Sequence, residues 1–398
     1  MMEKKKVLFV VHQLNYGGVQ KAALTALNAI DYSKYDVTLY VRKNRIPLIS
    51  QVNENVKKII VNEDKTHYYR KPRVVCYEIF KFLANIFGNE QGENYFQQKI
   101  AEYINEVQMM YEKKEHFREQ EEYDIAISYI QGYTAKFVAE YINAKKKIMF
   151  YHVSTDENHE VHEKAMPYYD KIVGVNKGVQ DVLKELYPEF ADKMTYIENY
   201  VDAEEVRRKS QEYHIERKDV DLVLCTCGRL TPVKGFDLAI EAARILKEDN
   251  TSFLWYLVGD GPEREKLEQM IAENALAEYI EITGMLDNPY PHIANCDIYV
   301  QPSYEEAYGL TIKEALILNN PVVTTDTMGG RYLINEQKNG LVVNRNASDL
   351  AKGIKNLAED TRMRSSIRQY LESENYANAK DKYQSMWQSL LNLEQYYL

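Results

Sequence analysis

Cysteine is scarce: the 398 residues hold four, Cys76, Cys225, Cys227 and Cys296, too few and too scattered for a disulfide framework. Cys225 and Cys227 stand two apart in an apolar run and read as reduced core thiols, which points to the cytoplasm. Proline and glycine are sparse as well, at 10 and 17, and no biased tract marks a disordered or fibrous chain. Long apolar runs are missing. The start, MMEKKKVLFVVHQ, sets three lysines before only five consecutive apolar residues, too few for a signal-peptide core or a membrane span, and no later stretch reaches spanning length. Positive charge is in deficit, with 50 Lys and Arg against 60 Asp and Glu. The net charge of −10 argues against a generic nucleic-acid binder, which needs a basic face, and leaves room only for a local basic groove.

What remains is an ordinary globular composition, 45% hydrophobic and 28% charged, long enough for two or three domains with cores of their own. The 33 tyrosines indicate tolerance for amphipathic surface and no particular chemistry. Along the chain a short β-branched apolar run, a turn and a helical pattern recur, the cadence of βα units around parallel sheets covered on both faces. In the first half the runs are 7–11, 37–40, 59–61, 125–129, 148–151, 172–175 and 195–197. In the second they are 222–226, 254–258, 280–283, 298–300, 322–324 and 341–343. Thirteen strands would make one sheet unusually wide, so two doubly wound sheets are expected. The expected fold class is α/β, with domains at 1–202 and 203–376 divided at the charged segment DAEEVRRKSQEYHIERKDVD, which has no strong apolar period. Within 377–398 the residues Tyr383, Met386, Trp387, Leu390 and Leu391 form an amphipathic helical stripe that must be buried somewhere.

Residues 63–122 interrupt the cadence as a Tyr-, Lys- and Glu-rich insertion. Its stripe Val75, Ile79, Phe82, Leu83 and Ile86 fits a helix packed on its own domain; a basic start also fits peripheral contact with an anionic membrane through residues about 68–87.

The most informative stretch is PSYEEAYGLTIKEALILNNPVVTTD. Glu306 lies in a loop after a strand, and Glu314 follows eight positions later inside a helix, so both can face one crevice at different depths. The amides of Gly309, Leu310 and Thr311 open that helix, where an anion is favoured. Carboxylates for hydroxyls beside a phosphate cradle describe a site for a nucleotide-linked sugar. An ordinary βα loop with acids placed for the helix dipole gives the same pattern. GRLTPVKG, residues 228–235, adds Arg229 and Lys234 on another loop at the carboxyl edge, a fork and a point charge suited to a diphosphate. LVGDGP puts Gly259 at the end of a further strand, but Arg264 breaks any GxGxxG fingerprint. In HVSTDENHEVHEK, the residues His152, Asp156, His159 and His162 suggest a metal site, although the spacing is not HExxH and polar loops often carry histidines. Asp219-Val220-Asp221 precedes its strand and reads as a linker acid pair.

Together these elements resemble glycosyltransferase family 4, the retaining enzymes of the "glycosyl transferases group 1" type with the GT-B fold. The resemblance runs through Gly17-Gly18, Tyr151-His152-Val153, IENYVD, GRLTPVKG, LVGDGP, the E-x7-E motif ending in EAL, and PVVTTD. It implies two facing Rossmann-like domains, the donor held mainly by the second and the acceptor by the first, with the last helix crossing back onto the first. It further implies that Arg229 and Lys234 bind the diphosphate, that Glu306 holds hydroxyls of the transferred sugar, and that Glu314 holds those of the ribose. His152 would hold the donor sugar near the reacting centre. Gly309, Leu310 and Thr311 would cap the distal phosphate, and Gly284 and Met285 would lie near the base. Gly17 and Gly18 would let the first loop approach the phosphates, and Gly228, Gly259 and Tyr308 complete the expected substrate contacts. Ala307 and Tyr308 depart from the commoner Gly and Phe, and Asn176 stands where Ser is frequent.

The activity implied is metal-independent retaining transfer of a hexose-type sugar from a UDP-sugar or GDP-sugar to a glycan or lipid-linked acceptor. Neither a cofactor nor a nucleic acid is called for, and bacterial surface glycan assembly is the expected setting, in the cytoplasm or at the inner face of the membrane. A nucleotide-sugar epimerase of like fold and a non-catalytic partner subunit are the alternatives.

Overall fold

The computed structural model describes residues 3–62, 90–117, 122–153, 159–336, 338–374 and 379–392, the side chains of 90–101 and 103 apart. Among them thirteen strands form two sheets, and every pairing between strands is parallel. The first holds β1 (Lys5–Val11), β2 (Tyr35–Val41), β3 (Lys58–Val61), β4 (Tyr123–Ser128), β5 (Ala144–Tyr151), β6 (Lys171–Gly174) and β7 (Met194–Tyr196). Its order is β3-β2-β1-β4-β5-β6-β7. The second holds β8 (Leu222–Cys227), β9 (Phe253–Val258), β10 (Ile280–Gly284), β11 (Ile298–Gln301), β12 (Val322–Thr325) and β13 (Gly340–Val343), in the order β10-β9-β8-β11-β12-β13.

Each sheet is doubly wound. Strand order reverses between β1 and β4 in the first and between β8 and β11 in the second, so each carboxyl edge opens a crevice at its switch point. Successive side chains of β1 alternate between two cores, as the strand period requires. Val7 and Phe9 join Leu27 and Trp387 on one face; Leu8 and Val10 join Phe137 and Leu183 on the other. Burial on both faces is why these strands read as continuous apolar runs.

The last helix, Ala379–Asn392, buries Tyr383, Met386, Trp387, Leu390 and Leu391 in the core of the first sheet. Trp387 lies parallel to Phe150 with ring centroids 5.1 Å apart. The charged segment after Val201 contains a helix, Ala203–Lys209, capped by Asp202, whose carboxylate accepts the amides of Glu204 and Glu205. Only Ala203 and Val206 of that helix are buried, against Ile317, too few to register as an apolar period.

The helix Glu90–His116 follows residues 63–89, which lie outside the described residues and include all of the Val75 to Ile86 stripe and of the expected 68–87 surface. It is fixed to β2 by a buried pair. Arg42 donates through Nε and Nη2 to the two carboxylate oxygens of Glu112 at 2.9 and 3.0 Å, and Tyr40 and Gln108 donate to the same group. A buried ion pair is tolerated only when its remaining hydrogen-bonding capacity is met in this way.

Candidate functional site

The residues expected to contact the donor stand at the carboxyl edges of the two sheets, on loops and helix starts apart from Glu314, which lies inside its helix. Gly17 and Gly18 follow β1, His152 follows β5, and Gly228, Arg229 and Lys234 follow β8. Gly259 follows β9, Gly284 and Met285 end or follow β10, and residues 306–314 follow β11. Since all strands in a sheet run the same way, the loops of one sheet share one side.

Loop-to-loop hydrogen bonds then bring the charged residues together. The carbonyl of Val233 accepts the amides of Tyr304 and Glu305 at 2.9 and 3.3 Å, laying the β8 loop along the β11 loop. Gly235 is indispensable to that approach: its φ is +66°, and a Cβ there would fall 2.0 Å from the carbonyl oxygen of Pro302. The result is an ion pair of 2.6 Å between Lys234 Nζ and Glu306 Oε2, both partly buried. Arg229 is exposed on the same loop. The β9 loop joins through the amide of Leu230, which donates to the carbonyl of Asp260 at 3.0 Å. Gly228 and Gly259 serve this packing, because a Cβ on Gly259 would lie 1.8 Å from the carbonyl oxygen of Gly228.

Gly309, at φ +89°, turns the β11 loop into the helix Leu310–Ile317. Beneath it lies a polar layer. Thr311 donates to Gln301 at 3.0 Å, Tyr299 donates to Gln301 at 2.9 Å, and Gln301 donates to Ser303 at 2.8 Å. This fully bonded set fixes where the helix begins and where its free amides point. Tyr308 points elsewhere: its side chain is buried with Val10, Ala135 and Val175 in the core of the first domain, so it serves the seam and only its main chain borders the loop. Met285 is exposed, beside Gly284 at φ +78°.

Glu314 is buried inside the second domain, yet it is met from the first. Lys21 Nζ lies 3.3 Å from Glu314 Oε1, and the hydroxyl of Tyr290 donates to the same oxygen at 3.0 Å. Oε2 is buried without a partner among the described residues. The Glu314 charge raises the pKa of Lys21, and burial, reinforced by Glu314, raises that of Tyr290. Cys227, close to both charges, has its thiol pushed up to about 12, chiefly by burial. Gly18 lies against this helix too, with Leu310 Cδ1 3.4 Å from where its Cβ would be. Asn176 Nδ2 donates to the carbonyl of Ala307 at 2.6 Å, and Tyr332 donates to Glu198, so the seam closes directly beside the site.

The His152 ring is tilted against Tyr129 with centroids 4.9 Å apart. Burial lowers its pKa to about 3, so the ring is neutral near pH 7, and its Nε2 is buried without a partner among the described residues. The other histidines of that stretch are engaged elsewhere. His162 Nε2 accepts the amide of Gly132 at 2.9 Å, and His159 stacks on Tyr187. Asp156 lies outside the described residues, and among those described no three His, Cys, Asp or Glu side chains converge as a metal site. A cavity of about 630 Å³ by Asp326, Arg331, Asn344 and Lys352 contains none of the candidate residues.

Lys21, Tyr290 and Gln301 escaped the sequence reading. Lys21 carries a faint signal as the sole charge in GVQKAALTALNA, one turn after Gly17-Gly18. Tyr290 and Gln301 carry none, since their roles come from strands and helices far apart in sequence.

The family described as "Glycosyl transferases group 1" matches residues 207–374. The lipopolysaccharide core biosynthesis glycosyltransferase LpsE of Rhizobium meliloti is 30% identical over 146 residues, 36% of this chain and 42% of that protein. An N-acetylgalactosaminyltransferase of Campylobacter jejuni, whose name specifies a diphospho-undecaprenol acceptor, is 29% identical over 200 residues, 50% of this chain and 53% of that one. The chain thus spans about half the length of these curated relatives. Among solved structures, HepE of Anabaena with UDP and glucose superposes with a TM-score of 0.70 at 16% identity, covering 98% of this chain and 99% of that one. TarM of S. aureus does so at 0.68 and 15%, covering 98% and 100%. The fold is that of the GT-B glycosyltransferases, two Rossmann-like domains facing across a cleft. No helix among the described residues is long and apolar enough to cross a membrane.

Proposed function

We propose that this chain is a retaining glycosyltransferase that moves a hexose-type sugar from a nucleoside-diphosphate sugar to an acceptor hydroxyl in the assembly of a bacterial surface glycan. The observation that carries the reading is the pairing at 2.6 Å of Lys234, whose loop also carries Arg229, with Glu306, three residues before the glycine that opens a helix. The donor's diphosphate takes its place against these groups. An ammonium has three N–H donors, and Glu306 engages one, leaving two for phosphate oxygens; Arg229 adds a planar fork. The amides of Leu310 and Thr311 face the distal phosphate. Glu306 holds hydroxyls of the sugar and Glu314 those of the ribose. The neutral His152, with Nε2 free to accept, takes a further sugar hydroxyl.

The chemistry follows from where charge develops. As the bond between the anomeric carbon and the phosphate oxygen breaks, positive charge grows on the sugar and negative charge on the diphosphate. Fixed cations and helix amides already aimed at the diphosphate stabilise that change without reorganising. The acceptor hydroxyl attacks from the face the diphosphate leaves, and its proton passes to a departing phosphate oxygen, so configuration is retained. Arg229 and Lys234 supply the positive charge, and the reaction calls for neither metal nor cofactor. The transferase names of the relatives favour transfer over epimerisation, and the lipopolysaccharide and diphospho-undecaprenol names among them favour a glycan or lipid-linked acceptor.

Thermal-shift titration with UDP-, GDP- and ADP-sugars tests the donor class, because a ligand of the native state raises its melting temperature by mass action. One base should stabilise the protein, and Arg229→Ala or Lys234→Ala should abolish most of that shift and of sugar transfer to acceptor. A panel without any shift, or near wild-type transfer by both variants, overturns the proposal.

A further inference from the structure

Lys21 is the sole charged residue of the helix Gly18–Ala29 in the first domain, and it reaches across the cleft to a carboxylate of the second. Its side chain remains 44% accessible while its ammonium is placed 3.3 Å from Glu314 Oε1 and 5.4 Å from the centre of the Tyr290 ring. Glu314 is only 3% accessible. One of its oxygens has two donors, from two domains, and the other has none among the described residues. An unsatisfied oxygen on a buried carboxylate is costly, and the cost is removed when a hydroxyl donates to it.

We infer that Lys21 is a positioning residue for the donor's ribose: it orients the Glu314 carboxylate from the opposite domain, so that the unpaired Oε2 is left as the acceptor for a ribose hydroxyl. The inference rests on the nucleotide-sugar reading above and adds to it that the ribose subsite belongs to both domains. The second domain alone offers Glu314 and Tyr290, a neutral donor; the compensating cation arrives only when the first domain is apposed. Recognition of the ribose is thereby tied to the closed arrangement, while the diphosphate contacts at Arg229 and Lys234 lie wholly within the second domain and do not depend on Lys21.

The test separates ribose from diphosphate. Calorimetric titration of the full chain with UDP, GDP and ADP finds the base that binds, and that diphosphate is then compared with its 2′,3′-dideoxy analogue in the wild type, Lys21→Met and Lys21→Arg. A hydrogen bond to a charged group predicts that the wild type prefers the ribose form about tenfold or more. Lys21→Met should bind both forms within about twofold of each other by weakening the ribose form alone, and Lys21→Arg should restore the preference. If Lys21→Met does not fold, Lys21→Gln, which keeps a donor and loses the charge, takes its place. A preference unchanged in the neutral variant or an equal loss of both forms overturns the role of Lys21 with the donor reading intact, whereas no preference in the wild type overturns the ribose contact of Glu314 together with the role of Lys21 and leaves only the diphosphate contacts standing. Failure of all three diphosphates to bind the wild type overturns that reading and this inference with it.

Discussion

Asn176 and Ala307 join the two domains through one hydrogen bond, from Nδ2 to a main-chain oxygen, 2.6 Å long and buried. The same Asn176 side chain accepts the amide of Val179 at 2.8 Å and so caps the helix Lys177–Leu186. One residue thereby fixes a helix in the first domain and the loop carrying Glu306 in the second. Serine at this position would cap equally well but is too short to reach Ala307. Asn176→Ser should therefore destabilise the protein by about 1–3 kcal/mol, the cost of a buried carbonyl left unpaired, and Asn176→Ala should add the lost cap, about 1 kcal/mol more. Urea titration of the three proteins checks this; a serine variant as stable as wild type would show that the bond contributes nothing.

Gly235 and Gly132 provide a matched pair. Both have positive φ, +66° and +74°, yet a Cβ on Gly235 would fall 2.0 Å from a carbonyl oxygen whereas one on Gly132 meets nothing within 4 Å. Gly132→Ala carries only the strain of its φ +74°, ψ −144° backbone, a region open chiefly to glycine, about 1–3 kcal/mol. Gly235→Ala carries the strain of the left-handed basin and must also push the β8 and β11 loops apart, separating Lys234 from Glu306. The expected outcome is a clearly larger stability loss for Gly235→Ala, together with loss of nucleotide-dependent stabilisation that Gly132→Ala retains. Parallel thermal melts with and without the preferred donor measure both quantities.

How much of this was legible beforehand depends on the distance over which each feature is determined. All thirteen apolar runs became strands, because a strand covered on both faces must be apolar throughout. The runs missed mainly strand ends, where the chain emerges into solvent: β1 begins at Lys5 and β5 at Ala144, ahead of three consecutive lysines. The spacing of Glu306 and Glu314 and the Gly228 to Gly235 loop were readable for the same local reason. The contact of Lys21 with Glu314 was not, since 293 positions separate them and only the apposition of two domains brings them together. Tyr308 misled by its neighbours: it belongs to the motif in sequence, but its ring turns into the other domain's core.

The buried histidine sets a pH dependence whose sign is fixed. His152 has its pKa lowered from 6.5 to about 3 in the folded chain, so between those values the unfolded chain binds a proton that the native state refuses. Stability is therefore fully present above pH 6.5 and lost as pH falls toward 3. At pH 5 this one group costs about 2 kcal/mol. His12, lowered to about 3 by burial and by Lys43, Arg42 and Arg45, acts in the same direction and the same window. Replacing the imidazole by a ring that does not titrate, His152→Phe, should shrink the difference in urea midpoint between pH 7 and pH 5. An undiminished difference would place the pH dependence elsewhere.

Trp387 closes the chain onto its beginning. Its ring is fully buried, parallel to Phe150 at 5.1 Å and tilted against Phe9 at 6.3 Å, and its Nε1 has no partner among the described residues. The indole N–H lies near the Tyr383 hydroxyl without a well-aligned bond, and the contribution of the residue comes chiefly from packing. Trp387→Phe keeps most of that packing and removes the unpaired group, so it should cost less than about 1.5 kcal/mol. Trp387→Ala leaves a cavity between the last helix and the first sheet and should cost about 3–5 kcal/mol. The loss is local in origin, since Tyr383, Met386, Leu390 and Leu391 share the first sheet's core and no residue of the helix Ala379–Asn392 belongs to the second domain's core. Limited proteolysis should then cut Trp387→Ala within or just before the helix while residues of the second sheet stay protected. Equal exposure of both sheets would mean that the helix holds the whole molecule together rather than capping its first domain.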